Sequence, residues 1–134
     1  MSTQSDDLFD RLARERGRHL DELLDYLRIP SISTDPEYAS EVNRCADWLL
    51  ARMGEAGLTT EKIATAGHPL VYAEWTGAGP DKPTVLFYGH YDVQPPDPLT
   101  EWRNPPFQPT IEGEQLVARG ATEASKNSAS QIGH

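Results

Sequence analysis

Residues 85–94 read Val-Leu-Phe-Tyr-Gly-His-Tyr-Asp-Val-Gln, and they carry the residue types best suited to chemistry in this chain. Four apolar residues in a row followed by Gly89 predict a buried strand that stops at a tight turn. His90 and Asp92 follow that stop, two residues apart. An imidazole and a carboxylate are thereby delivered to the end of a strand, where open sheets place their ligand sites. Side chains at i and i+2 of an extended segment project to the same side. Asp92 can therefore accept a hydrogen bond from one ring nitrogen of His90 and leave the other nitrogen for a metal ion. Taken alone, His-x-Asp also fits a hydrogen-bonded structural or surface pair. A nucleophile–base pair fits less well, because no Ser or Cys stands where it could attack.

The elements that must position this pair are readable from periodicity. Leu8, Leu12, Leu20, Leu23, Leu24 and Leu27 recur near a 3.6-residue period and predict an amphipathic helix over residues 5–27. Ser5 is its expected N-cap, and Asp6 and Asp7 stand in the first turn. Pro30 ends it, and Ile29-Pro30-Ser31-Ile32-Ser33 reads as an ordered loop. Asp35-Pro36 starts a second helix whose expected buried face is Tyr38, Val42, Cys45, Ala46, Leu49, Leu50 and Met53, with Gly54 and Gly57 as its stop. Three strands are expected next, over residues 59–63, 70–75 and 84–88. The turn 77–82 suggests that the last two pair antiparallel. A Pro-rich loop pinned by Trp102 and Phe107 leads to a short hairpin around Glu112-Gly113-Glu114. The fold class is α/β, a mixed sheet flanked by helices. Residues 1–122 form the ordered part, and 123–134 a divergent, disordered tail.

Composition narrows the partners. Twelve Lys and Arg against 21 Asp and Glu give a net charge of -9. That argues against nucleic acid and anionic membranes, which are bound through Lys and Arg. Cys45 is the only cysteine, so no internal disulfide can form and a reducing, cytoplasmic setting is expected. Neither a signal peptide nor an apolar run of membrane-spanning length is present.

Several motifs in order carry a resemblance. Arg28-Ile29-Pro30-Ser31-Ile32-Ser33, His68-Pro69-Leu70-Val71-Tyr72-Ala73-Glu74-Trp75, Gly89-His90-Tyr91-Asp92-Val93-Gln94-Pro95-Pro96, Trp102 with Pro105-Pro106-Phe107, and Leu116-Val117-Ala118-Arg119-Gly120-Ala121 follow one another. Together they resemble the N-terminal portion of the di-zinc metallopeptidase family of carnosinases, cytosolic dipeptidases, aminoacylases and succinyl-diaminopimelate desuccinylases, closest to its dipeptidase branch. The resemblance spans roughly residues 5–123. It implies a zinc-exopeptidase-like catalytic domain, two zinc ions per active site, and small peptide or N-acyl amino acid substrates. It also implies frequent homodimerisation through a separate domain.

By the same resemblance, His90 is a ligand of one zinc and Asp92 the catalytic-site carboxylate that positions it. Glu123 stands where the family has an Asp bridging both metals. Around it the pattern departs: Ala124 replaces an acidic residue, Lys126 is displaced by one, and the family's glycine is absent. The remaining ligands and the general-base glutamate have no counterpart here. His19, His68 and His134 read as solvated surface. Residues 127–134 look like the product of a frameshift, an early stop or an expression boundary. The expectation is therefore a truncated, non-catalytic fragment with at most partial metal binding; the alternatives are a pseudoenzyme or an interaction module. An uncovered apolar edge at Val85–Tyr88 predicts poor solubility.

Overall fold

The computed structural model describes residues 4–121. Helix α1 (Gln4–Leu27) leads through the 28–33 loop and a 3-10 turn (Pro36–Tyr38) to helix α2 (Ala39–Glu55). Strands β1 (Thr59–Ile63) and β2 (Leu70–Glu74) form one antiparallel pair, with Thr59 opposite Glu74 and Ile63 opposite Leu70. A second 3-10 turn (Leu99–Glu101) precedes the antiparallel pair β3 (Thr110–Glu112) and β4 (Gln115–Val117). The α/β class expected from the sequence is what forms.

Ser5, expected as the N-cap of α1, lies inside the helix, whereas the signals bounding α2 act as their chemistry requires. The Asp35 carboxylate accepts the Glu37 backbone N–H at 3.0 Å, so it caps the 3-10 turn that precedes α2. At the other end of α2 the Leu58 N–H donates to the Met53 carbonyl at 3.1 Å and the Gly57 N–H to Gly54 at 2.9 Å. This is a Schellman closure, and Gly57 takes the positive φ of 92° that it demands. The β1–β2 pair packs on α2, and Lys62 Nζ reaches the Asp47 carboxylate at 2.8 Å across that contact.

The core is small and lies at one junction. Leu27, Ile29, Ile32, Val42, Cys45 and Ala46 are buried there, together with Ser31. Tyr26 and Trp48 stack against each other with ring centroids 5.5 Å apart, joining the end of α1 to α2. The apolar stripe of α1 is only partly covered. Leu20 and Leu24 are half-buried, while Leu8, Leu12 and Leu23 stay exposed. Its outer turns are supported locally instead, by Arg11–Glu15 at 3.1 Å and Arg18–Glu22 at 2.7 Å. Such exposed i,i+4 pairs add only a small, salt-screened increment to helix stability. Of the expected α2 face, Val42, Cys45 and Ala46 are buried, and Tyr38, Leu49, Leu50 and Met53 are half-buried.

One expectation is overturned. Residues 84–88 do not pair with β2, which takes β1 as its partner. Val85, Leu86, Phe87 and Tyr88 are between 70% and 89% exposed. An unbroken apolar run is the pattern of a strand covered on both faces, and among the described residues nothing covers it. Residues 77–82 fold back only locally, with the Gly79 N–H donating to Thr76 and the Lys82 N–H to Gly79. The tail expected to be disordered lies outside the described residues. Among the described residues no helix is long and apolar enough to cross a membrane.

Candidate functional site

His90 and Asp92 meet as the sequence spacing requires. His90 Nδ1 lies 3.0 Å from Asp92 Oδ1 and 3.1 Å from the Asp92 backbone carbonyl. Both oxygens are acceptors, so in the neutral ring the proton sits on Nδ1 and Nε2 keeps its lone pair. The two side chains are 43% and 41% exposed, enough for Nε2 to be reached from solvent. Partial burial raises the Asp92 pKa, but hydrogen bonds from Ser33 and His90 outweigh it and hold the carboxyl below its ordinary value.

The segment bearing the pair is held through its backbone. The Tyr91 carbonyl accepts hydrogen bonds from Ser31 Oγ at 2.8 Å, Tyr26 Oη at 3.4 Å and Cys45 Sγ at 3.7 Å. By length, the Ser31 bond is the strong one. The three donors come from the loop, the end of α1 and the middle of α2, so the buried core reports directly to the peptide linking Tyr91 to Asp92. Val93 donates its N–H to the Ser31 carbonyl at 2.9 Å, and Ile32 and Val93 form a parallel bridge. The Tyr91 phenol donates to the Pro69 carbonyl at 2.6 Å, which ties the segment to the start of β2. On the far side Gly120 packs against Val93, and Arg119 Nε donates to the Gln94 carbonyl at 2.9 Å. A shallow crevice lined by Tyr26, Ser31, His90, Asp92, Val93 and Gly120 results.

The other sequence expectations divide. Glu123 and His134 lie outside the described residues. His19 stays on the exposed face of α1 near Glu15 and Glu22. His68 does not behave as solvated surface. It is half-buried, and its Nε2 lies 2.8 Å from the Ser33 carbonyl, to which it donates. Trp102 is half-buried, with its indole N–H donating to the Pro96 carbonyl at 2.7 Å. Sequence reasoning missed the supporting shell of Tyr26, Ser31, Ser33 and Cys45. The only signal was the pair of serines in a loop already read as ordered.

A free imidazole nitrogen backed by a carboxylate suits zinc. Among the described residues, however, no group of three or more His, Cys, Asp or Glu side chains is gathered closely enough to hold an ion. The described residues fit one coordination position, not a complete centre.

No protein-family model matches the chain. Known proteins do. It is similar to a succinyl-diaminopimelate desuccinylase of Aromatoleum aromaticum, 39% identical over 79 residues, which are 59% of this chain and 20% of that protein. Among solved structures, a metallo-carboxypeptidase of the M20 family from Sulfolobus solfataricus, Sso-CP2, superposes with a TM-score of 0.71 at 40% identity. That match covers 78% of this chain and 23% of the other. The dipeptidase Dug1p of Saccharomyces cerevisiae superposes with a TM-score of 0.79 at 26% identity, over 91% of this chain and 28% of its own. The chain thus spans about a fifth of the curated relative and about a quarter of the solved ones. Its α/β architecture, its motif order and these superpositions agree: the chain is similar to a part of the catalytic domain of M20 family metallopeptidases.

Proposed function

We propose that this chain carries the histidine corner of a two-zinc centre belonging to a dipeptidase or amidohydrolase acting on small peptides or N-acyl amino acids. His90 is the zinc ligand through Nε2, and Asp92 is the carboxylate that fixes its ring. The observation that carries the reading is the His90 Nδ1–Asp92 Oδ1 contact of 3.0 Å, which leaves Nε2 accessible. A complete centre would activate a water molecule and polarise the scissile carbonyl. The chain's own share of that chemistry is to hold one nitrogen donor in a fixed orientation.

Taken alone, the chain is a non-catalytic part of such a centre. A catalytic zinc has three protein ligands and a water, and the described residues offer one fitting donor. Glu123 is proposed as a second, longer by one methylene than the family's aspartate. Dimerisation through another domain and a cytoplasmic location are part of the same reading. The location is supported by the single, buried, unpaired Cys45.

The test is zinc stoichiometry together with dipeptide hydrolysis on the chain, with His90→Ala as control. The reading expects weak binding of less than one zinc per chain, lost in His90→Ala, and no turnover. Two tightly held zinc ions with turnover that disappears on substitution would overturn the non-catalytic reading. Zinc binding unaffected by His90→Ala would overturn the assigned ligand.

A further inference from the structure

We propose that Ser33 is a positioning residue for His90, acting through Asp92. Its hydroxyl donates to Asp92 Oδ2 at 2.5 Å, while the other carboxylate oxygen, Oδ1, faces His90 Nδ1 at 3.0 Å. A carboxylate bound at one oxygen only can turn about its terminal torsion, a broad and soft one. Bound at both, it has one orientation. Ser33 therefore decides which oxygen His90 meets and at what angle. Through that contact it strengthens, beside the Asp92 backbone carbonyl at 3.1 Å, the preference for the ring tautomer with the proton on Nδ1 and the lone pair on Nε2.

Ser33 can do this because its own backbone is held on both sides. Ile32 bridges Val93 in parallel register, one residue past Asp92. The His68 Nε2–H donates to the Ser33 carbonyl at 2.8 Å. The relay His68–Ser33–Asp92–His90 thus connects the β1–β2 loop to the site through side chains brought together from distant parts of the sequence. Nothing in the His90-Tyr91-Asp92 motif itself specifies Ser33. The role rests on the reading of His90 Nε2 as a zinc-facing nitrogen, and the experiment separates the two.

The readout is the pair of ring-nitrogen resonances of His90 in the metal-free chain. These are observed by long-range 1H–15N correlation with histidine-selective labelling at mildly alkaline pH, in dilute solution; the chain has 4 histidines to assign. The unsubstituted chain is expected to show a single tautomer protonated on Nδ1. In Ser33→Ala the two ring-nitrogen shifts should move toward each other by at least a third of their separation, as the second tautomer becomes populated. Ser33→Thr, which keeps the hydroxyl, should restore the separation, and Ser33→Val, of the same shape without it, should not.

An unchanged separation in Ser33→Ala, or equal behaviour of Thr and Val, overturns the proposal. Should the Ala and Val variants fail to fold, side-chain scalar couplings in the unsubstituted chain decide. Single fixed χ1 rotamers for Ser33 and Asp92 support the relay, and averaged rotamers overturn it. Adding zinc to the unsubstituted chain tests the underlying reading separately. A shift at His90 Nε2 supports the ligand assignment. No shift there removes the zinc role while leaving the tautomer result standing.

Discussion

Gly120 lies so close to Val93 that a Cβ placed on it would sit 2.7 Å from Val93 Cγ1. Its φ is +82°, a region that side chains other than glycine's avoid. Val93 is one residue past Asp92 and bonded to Ser31, so the glycine allows the chain after β4 to press on the segment that bears the site. Gly120→Ala is expected to cost about 2 kcal/mol or more, from positive-φ strain together with the displaced Val93. Urea denaturation of the two proteins measures this, and a change within a few tenths of a kcal/mol would show that the contact is not binding.

The donors on the Tyr91 carbonyl should rank by length. Ser31→Ala removes the 2.8 Å bond from a buried site and is expected to cost about 1 kcal/mol. Tyr26→Phe removes the long 3.4 Å contact and the phenol's weak bond to the Cys45 thiol but keeps the ring beside Trp48, so its expected cost is about half of that or less. Denaturant midpoints for both variants give the comparison. The reverse order would mean that the phenol, not the serine, holds the peptide.

The run Val85–Tyr88 should make the chain self-associate. Exposed apolar backbone with unpaired edges is a template for pairing with another copy. Phe87→Lys is expected to lower the associated fraction severalfold by light scattering at equal concentration. Its effect on denaturation should stay within about 0.5 kcal/mol, because Phe87 is 86% exposed. Association that is indifferent to the charge would place the sticky surface elsewhere, with the exposed leucines of α1 as the next suspects.

Burial raises the Cys45 thiol to about 11 from an ordinary value of 9.0, and it also raises the Tyr26 phenol. Both groups are neutral when protonated, so folding favours the protonated forms. The Cys45 contribution is complete below pH 9.0 and is lost as pH climbs from there toward 11, while that of Tyr26 begins to be lost only above 10.0. Each pH unit between folded and unfolded values is worth about 1.4 kcal/mol per group. Melting temperature should therefore fall over that interval, and less steeply in Cys45→Ala. Thiol reagents should label Cys45 slowly in the folded chain at pH 8 and rapidly in urea. Fast labelling without denaturant would contradict the burial of the sulfur.

What the sequence displays well is whatever depends on near neighbours. The leucine period of α1, the Asp35-Pro36 start and the Gly57 stop are properties of a few adjacent residues, and each acts as its chemistry dictates. The His90–Asp92 contact is legible for the same reason, since two residues of extended chain fix it. The run 84–88 announced apolar cover on both faces, but that cover must come from other elements, and among the described residues none packs on it. Ser31 and Ser33 signalled only an ordered loop, and Cys45 only a buried helix face, not their part in the site. Their meaning depends on contacts that only the folded chain brings together, which also turned His68 from an expected surface residue into a half-buried donor.

The hydrogen bonds from Tyr26, Ser31, Ser33 and Cys45 to residues 91 and 92 close loops of 65, 60, 59 and 46 residues. By contrast, α1, the Schellman turn and the β1–β2 pair are made of contacts close in sequence. Loop-closure entropy delays long-range contacts until local structure exists to reward them. The helices and hairpin are thus expected to form first, and the orientation of His90 is among the last things this chain acquires as it folds.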